Sequence, residues 1–530
     1  MPSFIVTFPT IVNLASDIEI YSHNIYFFSA DDYKKKGNTE FEAGMFGIAV
    51  KFYSKAIKLD GLNDIYYSNR ANAYLKMENF GRALLDAEKA IELNKDNFKA
   101  YYRKSFALFG LEEYDLARKE LIEIISQIKD TNTSKNFNDL LEKVNNYIQN
   151  SKGIYKSTFY KDLKTTGKRD FANFISEKLE IKMSEGKGRG IFAKDDIESG
   201  ELILLEKAFF YKITSKKDQS NEMVQRMHIQ EVFEKIKNSK IDKIRSDYLL
   251  QTSNKDYCDI DVFRPGIYSK SNLKEKEYHI ADEDMDKVET LMSTKSFEYH
   301  FDNSDQCFFG VFLVAPLFNN CCSPTTNVEK FALLNYDDFQ IIQTKRFIKK
   351  GEELMTSYNV GLTPYEIRQK TFSDWGFICE CEYCLYEKEN HFLKKIIDCE
   401  TRIRNQIVKK NRDETLGLMQ DLNEIMLSVD KRFFHSKGMA GKMISLIFQF
   451  NEAFGKNGKM NEIQKKFWDI WLTTKDHGSY FYTNLKYYLI SIASNGQEKE
   501  KYEKALIIAE KNCSTFVKNL IDETMVYYKI

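Results

Sequence analysis

Proline is scarce in this chain, 6 residues in 530, and net charge is missing altogether, because 78 lysines and arginines balance 78 aspartates and glutamates. The first shortage favours folded helices over Pro-rich disorder. The second removes any global pull toward nucleic acid or an anionic membrane, so no direct nucleic-acid binding is expected. Long apolar runs are absent too. The longest, such as "CFFGVFLVAPLF", are too short to span a bilayer, so no membrane partner is expected. The opening "MPSFIVTFPTIVNLASDIEI" lacks a basic lead, an apolar block and a small-residue cleavage site, and reads as an extension over residues 1–30. The nine cysteines are odd in number and include close clusters in "CECEYC" and "NNCC", which suits metal chemistry in a reducing compartment better than a disulfide frame. A cytoplasmic or nuclear location, or both, is the expectation. A chain of 530 residues is long enough for about two to four domains.

What is present begins with a beat. Gly37, Ala71 and Ser105 stand 34 residues apart, as do Phe46, Phe80 and Tyr114. Ala49, Ala83 and Ala117 keep the same interval, and so do Ala56, Ala90 and Ile124. Small residues let two helices approach closely while the aromatics fill the space between neighbours, and the period is that of tetratricopeptide repeats. Three units over residues 31–130 make the minimum stable stack. The segment 131–177 then holds "NFNDLLEKVNNYIQ", whose Leu140, Leu141, Val144 and Ile148 have helical spacing and predict a cap on the open end.

The first helix of each repeat lines the concave face of such a stack. Here those helices read "YKKKGN", "YYSNRANAY" and "FKAYYRKS". They resemble the dicarboxylate-clamp repeats of co-chaperones, which grip the C-terminal Glu-Glu-Val-Asp tails of heat-shock chaperones. The resemblance implies a peptide site made of Lys34, Asn38, Asn69, Lys99 and Arg103. Converging cations and amide donors are what a terminal carboxylate plus an aspartate side chain require. The plain alternative is five solvated positions in a lysine-rich chain.

A different texture starts near Leu179. "GKGRG" at 186–190 leads a strand-like "GIFA"; "APLFNNCCSPTTN" follows at 315–327, "TKRFIKKGEELMTSYN" at 344–359, and "WGFICECEYC" at 375–384. Each motif alone is modest. In this order they resemble the SET-domain lysine methyltransferases, over residues 178–386. The implied fold is multidomain α+β: the helical array, a central β-rich SET domain interrupted by an insert at about 211–306, and a C-terminal α-helical domain at 387–530. The related SET-and-MYND proteins carry a zinc module inside that interval; here it holds only Cys258, so the module is missing. The insert is expected to shape a substrate wall, or to be a solvated expansion.

The resemblance also implies a reaction: transfer of a methyl group from S-adenosylmethionine to a lysine amine of a protein, histone or non-histone. Tyr358 would be the catalytic tyrosine. Lys187, Gly188, Arg189, Gly190, Asn319, Asn320, Tyr358 and Phe377 would meet the cofactor, with Phe377 on its adenine. Zinc would be held by Cys322, Cys379, Cys381 and Cys384 as a closed structural site. Cys321 stands where the family has serine, and Cys322 is preferred to it by its spacing to Pro324. Two departures stand out: Asn320 replaces the family's histidine, and Thr325 replaces an asparagine. They keep a second reading open, a chaperone-binding scaffold whose SET fold no longer catalyses.

Overall fold

A computed structural model describes residues 18–21, 24–155, 170–219, 222–250, 259–266, 284–300, 305–322, 326–331, 339–358, 363–430 and 437–455, with a few isolated positions besides. The chain divides into two compact units, residues 1–151 with 221–247 and 264–290, and residues 152–220 with 248–263 and 291–530.

In the first unit a hairpin of β1 (Ile18–Tyr21) and β2 (Asn24–Phe27) precedes seven helices. They are α1 (Ala30–Glu42), α2 (Phe46–Leu59), α3 (Asp64–Lys76), α4 (Phe80–Leu93), α5 (Phe98–Gly110), α6 (Tyr114–Ile125) and α7 (Thr131–Ser151). Their starts are written in the sequence. Ser29 and Asp32 form a capping box, and Asn63 and Asn97, one repeat apart, each accept a backbone N–H at the head of a helix. The alanine columns are sealed: Ala49, Ala83, Ala117, Ala56 and Ala90 have no exposed surface. A further column emerges in the turns within each pair, where Gly44, Glu78 and Glu112 take φ of 77°, 55° and 60°. Only the first is the residue that such a turn prefers. Helix α7 packs on α5, with Phe109 and Tyr147 ring centroids 4.7 Å apart and Tyr102 and Phe137 5.4 Å apart.

Part of the insert belongs to this unit rather than to the SET strands. The longer helices among its described residues are α8 (Glu222–Asn238), α9 (Lys240–Leu250) and α10 (Asp284–Lys295). Arg245 of α9 is buried and donates two hydrogen bonds to the Glu112 carboxylate, at 3.0 and 2.7 Å, while the Glu112 carbonyl accepts from the Gly266 N–H at 3.1 Å. The grouped segments, expected to shape a substrate wall, thus direct this packing at the third repeat. A guanidinium taken out of water needs its carboxylate, and Glu112 provides it.

Among the described residues the second unit holds three sheets. One has the order β10 (Asn319–Asn320), β13 (Glu353–Thr356), β5 (Gly188–Ala193), β4 (Leu179–Ser184). Another runs β11 (Val328–Phe331), β12 (Phe339–Thr344), β6 (Leu202–Lys207), β3 (Phe174–Ile175), and the third β7 (Phe210–Ser215), β9 (Gln306–Val311), β8 (Ser296–His300). All pairings are antiparallel except β10 with β13. The apolar "LILLEK" and "FQIIQT" are the buried centre of the second sheet. The buried Glu206 accepts the N–H groups of Leu313, Val314 and Ala315 at 2.7–2.8 Å, which pins the approach to β10. Helices α11 (Tyr365–Asp374), α12 (Glu382–Asn390), α13 (Phe392–Val408), α14 (Arg412–Ser428) and α15 (Lys437–Phe454) follow. Their core joins Cys322, Cys379 and Cys384 to Leu393, Met419 and Phe450. The segments "NEIQKKFWDIWLTT" and "EKYEKALIIAEKNC", with His435 and His477, fall almost wholly outside the described residues.

A Cβ added at Gly110 would lie 2.3 Å from the Phe80 ring, whereas one at Gly47 meets nothing within 4 Å. Gly110→Ala is therefore expected to destabilise the array by about 1–3 kcal/mol, and Gly47→Ala to leave it unchanged or slightly firmer. Thermal melts followed by circular dichroism check this, and equal midpoints for the two variants would contradict it.

Candidate functional site

In the second unit, Gly186 and Gly188 take φ of 68° and 74°, the left-handed turn that feeds β5. Gly190 has no room for a side chain: a Cβ there would lie 2.4 Å from Glu353 Oε1 and 2.7 Å from Asn319 Nδ2. Asn319 donates from Nδ2 to the Arg189 carbonyl at 3.3 Å and to Glu353 at 2.7 Å. With both amide protons committed, its Oδ1 is left as the acceptor for a ligand's N–H. Lys187 reaches toward the same carboxylate, its Nζ 3.9 Å from Glu353 Oε2. The Arg189 side chain turns inward, donating to the Leu249 carbonyl at 3.0 Å and lying 5.0 Å from the Tyr248 ring. Only its backbone is therefore placed beside Asn319.

Tyr358 follows β13 directly. Its hydroxyl donates to the Phe318 carbonyl at 2.9 Å, and its N–H donates to Asn320 Oδ1 at 3.0 Å. Trp375 and Phe377 each meet its ring edge-on at 6.2 Å, and Phe377 stacks on Phe372 at 5.0 Å. Burial, with the Glu353 charge adding to it, pushes the phenol up to about 12. The group is thus a neutral hydroxyl across the working pH range. Glu353, Trp375 and the Phe318 carbonyl escaped the sequence reading. The second glutamate of "GEEL" was a visible signal for the first; a carbonyl leaves none.

The sulfurs of Cys322, Cys379, Cys381 and Cys384 all lie within 4.8 Å of one another, with Cys322 3.4 Å from Cys384 and 3.9 Å from Cys379. Four thiolates held about 2.3 Å from a tetrahedral zinc would be spaced by about 3.8 Å, so the set fits that ion. Arg368 donates to Cys384 at 3.5 Å and offsets part of the negative charge such a cluster would carry. Gln369 brackets Cys379, donating to its carbonyl at 2.8 Å and accepting its N–H at 3.1 Å. Cys321 is buried next to this set but outside it.

The array, in the first unit, brings three of its five candidates close. Asn38 Oδ1 accepts from the Tyr53 hydroxyl at 2.8 Å and from Asn69 Nδ2 at 3.3 Å. Arg103 donates to the buried Ser68 hydroxyl, and burial lowers its pKa to about 10, against the charge of Tyr53. Among the described residues no carboxylate pairs with it. Lys99 is exposed, whereas Lys34 is held by Asp31 one turn away.

Residues 188–359 match the family model of the SET domain. A protein of Gibberella zeae named "Methyltransferase" is 22% identical over 395 residues, which cover 68% of this chain and 52% of that one. Human "Serine/threonine-protein phosphatase 5" is 41% identical over 96 residues, 18% of this chain and 19% of its own length. The "Heat shock protein sti1 homolog" of Schizosaccharomyces pombe is 37% identical over 111 residues, 21% of this chain and 18% of its own. The chain thus spans about half of the first relative and under a fifth of the other two. It carries a SET domain behind an N-terminal helical array of tetratricopeptide type, with helices after it.

Cys322→Ala is expected to strip the tag-free chain of metal, and Cys321→Ala to leave about one zinc bound per chain. Elemental analysis decides; equal zinc in the two variants would reverse the choice between the neighbouring cysteines.

Proposed function

We propose that this chain is an S-adenosylmethionine-dependent protein-lysine N-methyltransferase whose repeat array docks the acidic C-terminal tails of chaperones. The observation that carries the first half is the placement of the Tyr358 hydroxyl, with its proton committed to Phe318 and its ring walled by Trp375 and Phe377. S-adenosylmethionine supplies an electrophilic methyl group on a sulfonium. Asn319, with Oδ1 its remaining acceptor, offers a partner for the ammonium of the cofactor's methionine portion, and the Lys187–Gly190 strand offers backbone groups beside it.

Tyr358 is not a base. Because its proton points to Phe318, its oxygen lone pairs are left to accept an N–H of the incoming lysine and to aim that amine. Desolvation of the amine on entry beside these rings would lower the lysine pKa from about 10.4 toward the neutral, nucleophilic form. The acceptor is a lysine of a protein substrate, histone or non-histone.

The tail-docking half is supported by Arg103, a half-buried cation with no carboxylate partner among the described residues, whose partner Ser68 adjoins Asn69 of the Asn38–Asn69 pair. Charge-assisted hydrogen bonds from such a group favour a carboxylate guest. The scaffold reading is favoured by one residue, Asn320 in place of histidine, and would stand if the chain fails to bind cofactor.

Calorimetric titration with S-adenosylmethionine and its demethylated product is expected to show binding to both; absence of binding to either would leave the scaffold alone. Tyr358→Phe should keep that affinity and lose about a hundredfold or more in methyl transfer, measured with radiolabelled methyl donor. Arg103→Ala and Lys99→Glu should each weaken a peptide ending in Glu-Glu-Val-Asp by about tenfold or more while leaving cofactor affinity alone. Unchanged peptide affinity would remove the clamp.

A further inference from the structure

Asn320 is 7% exposed and makes two side-chain contacts. Its Oδ1 accepts the backbone N–H of Tyr358 at 3.0 Å, and its Nδ2 donates to Cys379 Sγ at 3.4 Å. The amide orientation is not free. A backbone N–H can only donate, so the oxygen must face Tyr358 and the nitrogen must face the sulfur. Backbone pairing holds the residue there: β10 lies parallel to β13 with Asn320 opposite Thr356, and the Cys321 N–H donates to the Thr356 carbonyl at 2.9 Å. The Phe318 carbonyl, one residue before β10, accepts the Tyr358 hydroxyl. Segment 318–320 therefore grips Tyr358 at both its hydroxyl and its backbone.

We infer that Asn320 is a positioning residue that ties the four-cysteine knot to Tyr358, so that the metal state of the knot sets how firmly the tyrosine is held. The inference rests on the methyltransferase reading for its kinetic consequence only. Asparagine at this place is then a working part, with one hydrogen-bonding arm on each side, and not a mark of decay. Displacement of the Cys379 sulfur when the four-cysteine set opens breaks one arm, frees the amide to turn, and loosens the other.

The full chain is studied in wild-type form and as Asn320→Ala, Asn320→Asp and Asn320→His. Zinc release into excess chromogenic chelator reads the sulfur arm. Both Ala and Asp should release metal about ten- to a hundredfold faster, Asp because it puts a negative charge beside sulfur in place of a donor. Hydrogen exchange at the Tyr358 amide reads the other arm, with β12 amides as internal reference. It should rise at least about tenfold in Ala and stay slower in Asp, which keeps an acceptor. Chelator treatment of the wild type should raise it as well. Neutral imidazole has one donor and one acceptor, so Asn320→His should bring both readouts back to within about threefold of wild type. In turnover, Ala should lose about ten- to a hundredfold in kcat with both KM values nearly unchanged.

Wild-type zinc release in Ala and Asp would refute the sulfur arm. A Tyr358 amide indifferent to both chelator and Asn320→Ala would refute the link. A chain that binds no cofactor defeats the enzymatic reading, yet zinc release and exchange still decide on Asn320.

Discussion

The parallel pairing of β10 with β13 covers two residues on each strand, and the arrangement around Tyr358 depends on it. A pairing so short has little stability of its own, since backbone hydrogen bonds contribute about 1 kcal/mol each. It is held by what surrounds it. Glu206 fixes the chain just before β10 with three hydrogen bonds, and Glu353 and Arg189 hold Asn319. Asn327 locks β13 from its other side, accepting the Met355 N–H at 2.8 Å and donating to the Glu353 carbonyl at 2.7 Å. Segments far apart in sequence thereby meet around Tyr358.

The cysteine knot contributes from the rear. It holds the start of α12 against the chain that follows β10, with Arg368 and Gln369 of α11 as supports. It also shares one apolar core with α13, α14 and α15. A metal bound by these cysteines would therefore couple its occupancy to the packing of the C-terminal helices.

Much of this was open to reading in the primary structure. The alanine columns announced the array, because small residues kept at a fixed interval mark repeated close contacts between helices, and every one proved buried. The meeting of the four cysteines was equally plain, since three of them stand within six residues of sequence. Other features were hidden for physical reasons. Glu78 and Glu112 give no sign of a left-handed backbone, which the repeat imposes on them against their preference. Lys34 looks like a free cation until Asp31 is seen beside it. Asn320 looked like a lost histidine because a hydrogen-bonding residue is defined by what it faces, and Cys379 lies 59 positions further along. The partner of Arg245 was unreadable for the same reason, being 133 positions upstream.

That last pair bears on how the protein can be divided. Domain charts would cut the chain after the repeats and treat the remainder as self-sufficient. Such a fragment would keep Arg245 and discard Glu112, the carboxylate that accepts two of its hydrogen bonds. The repeats are thus a structural subunit of the insert they precede, and the two would have to be inherited, truncated or transplanted together.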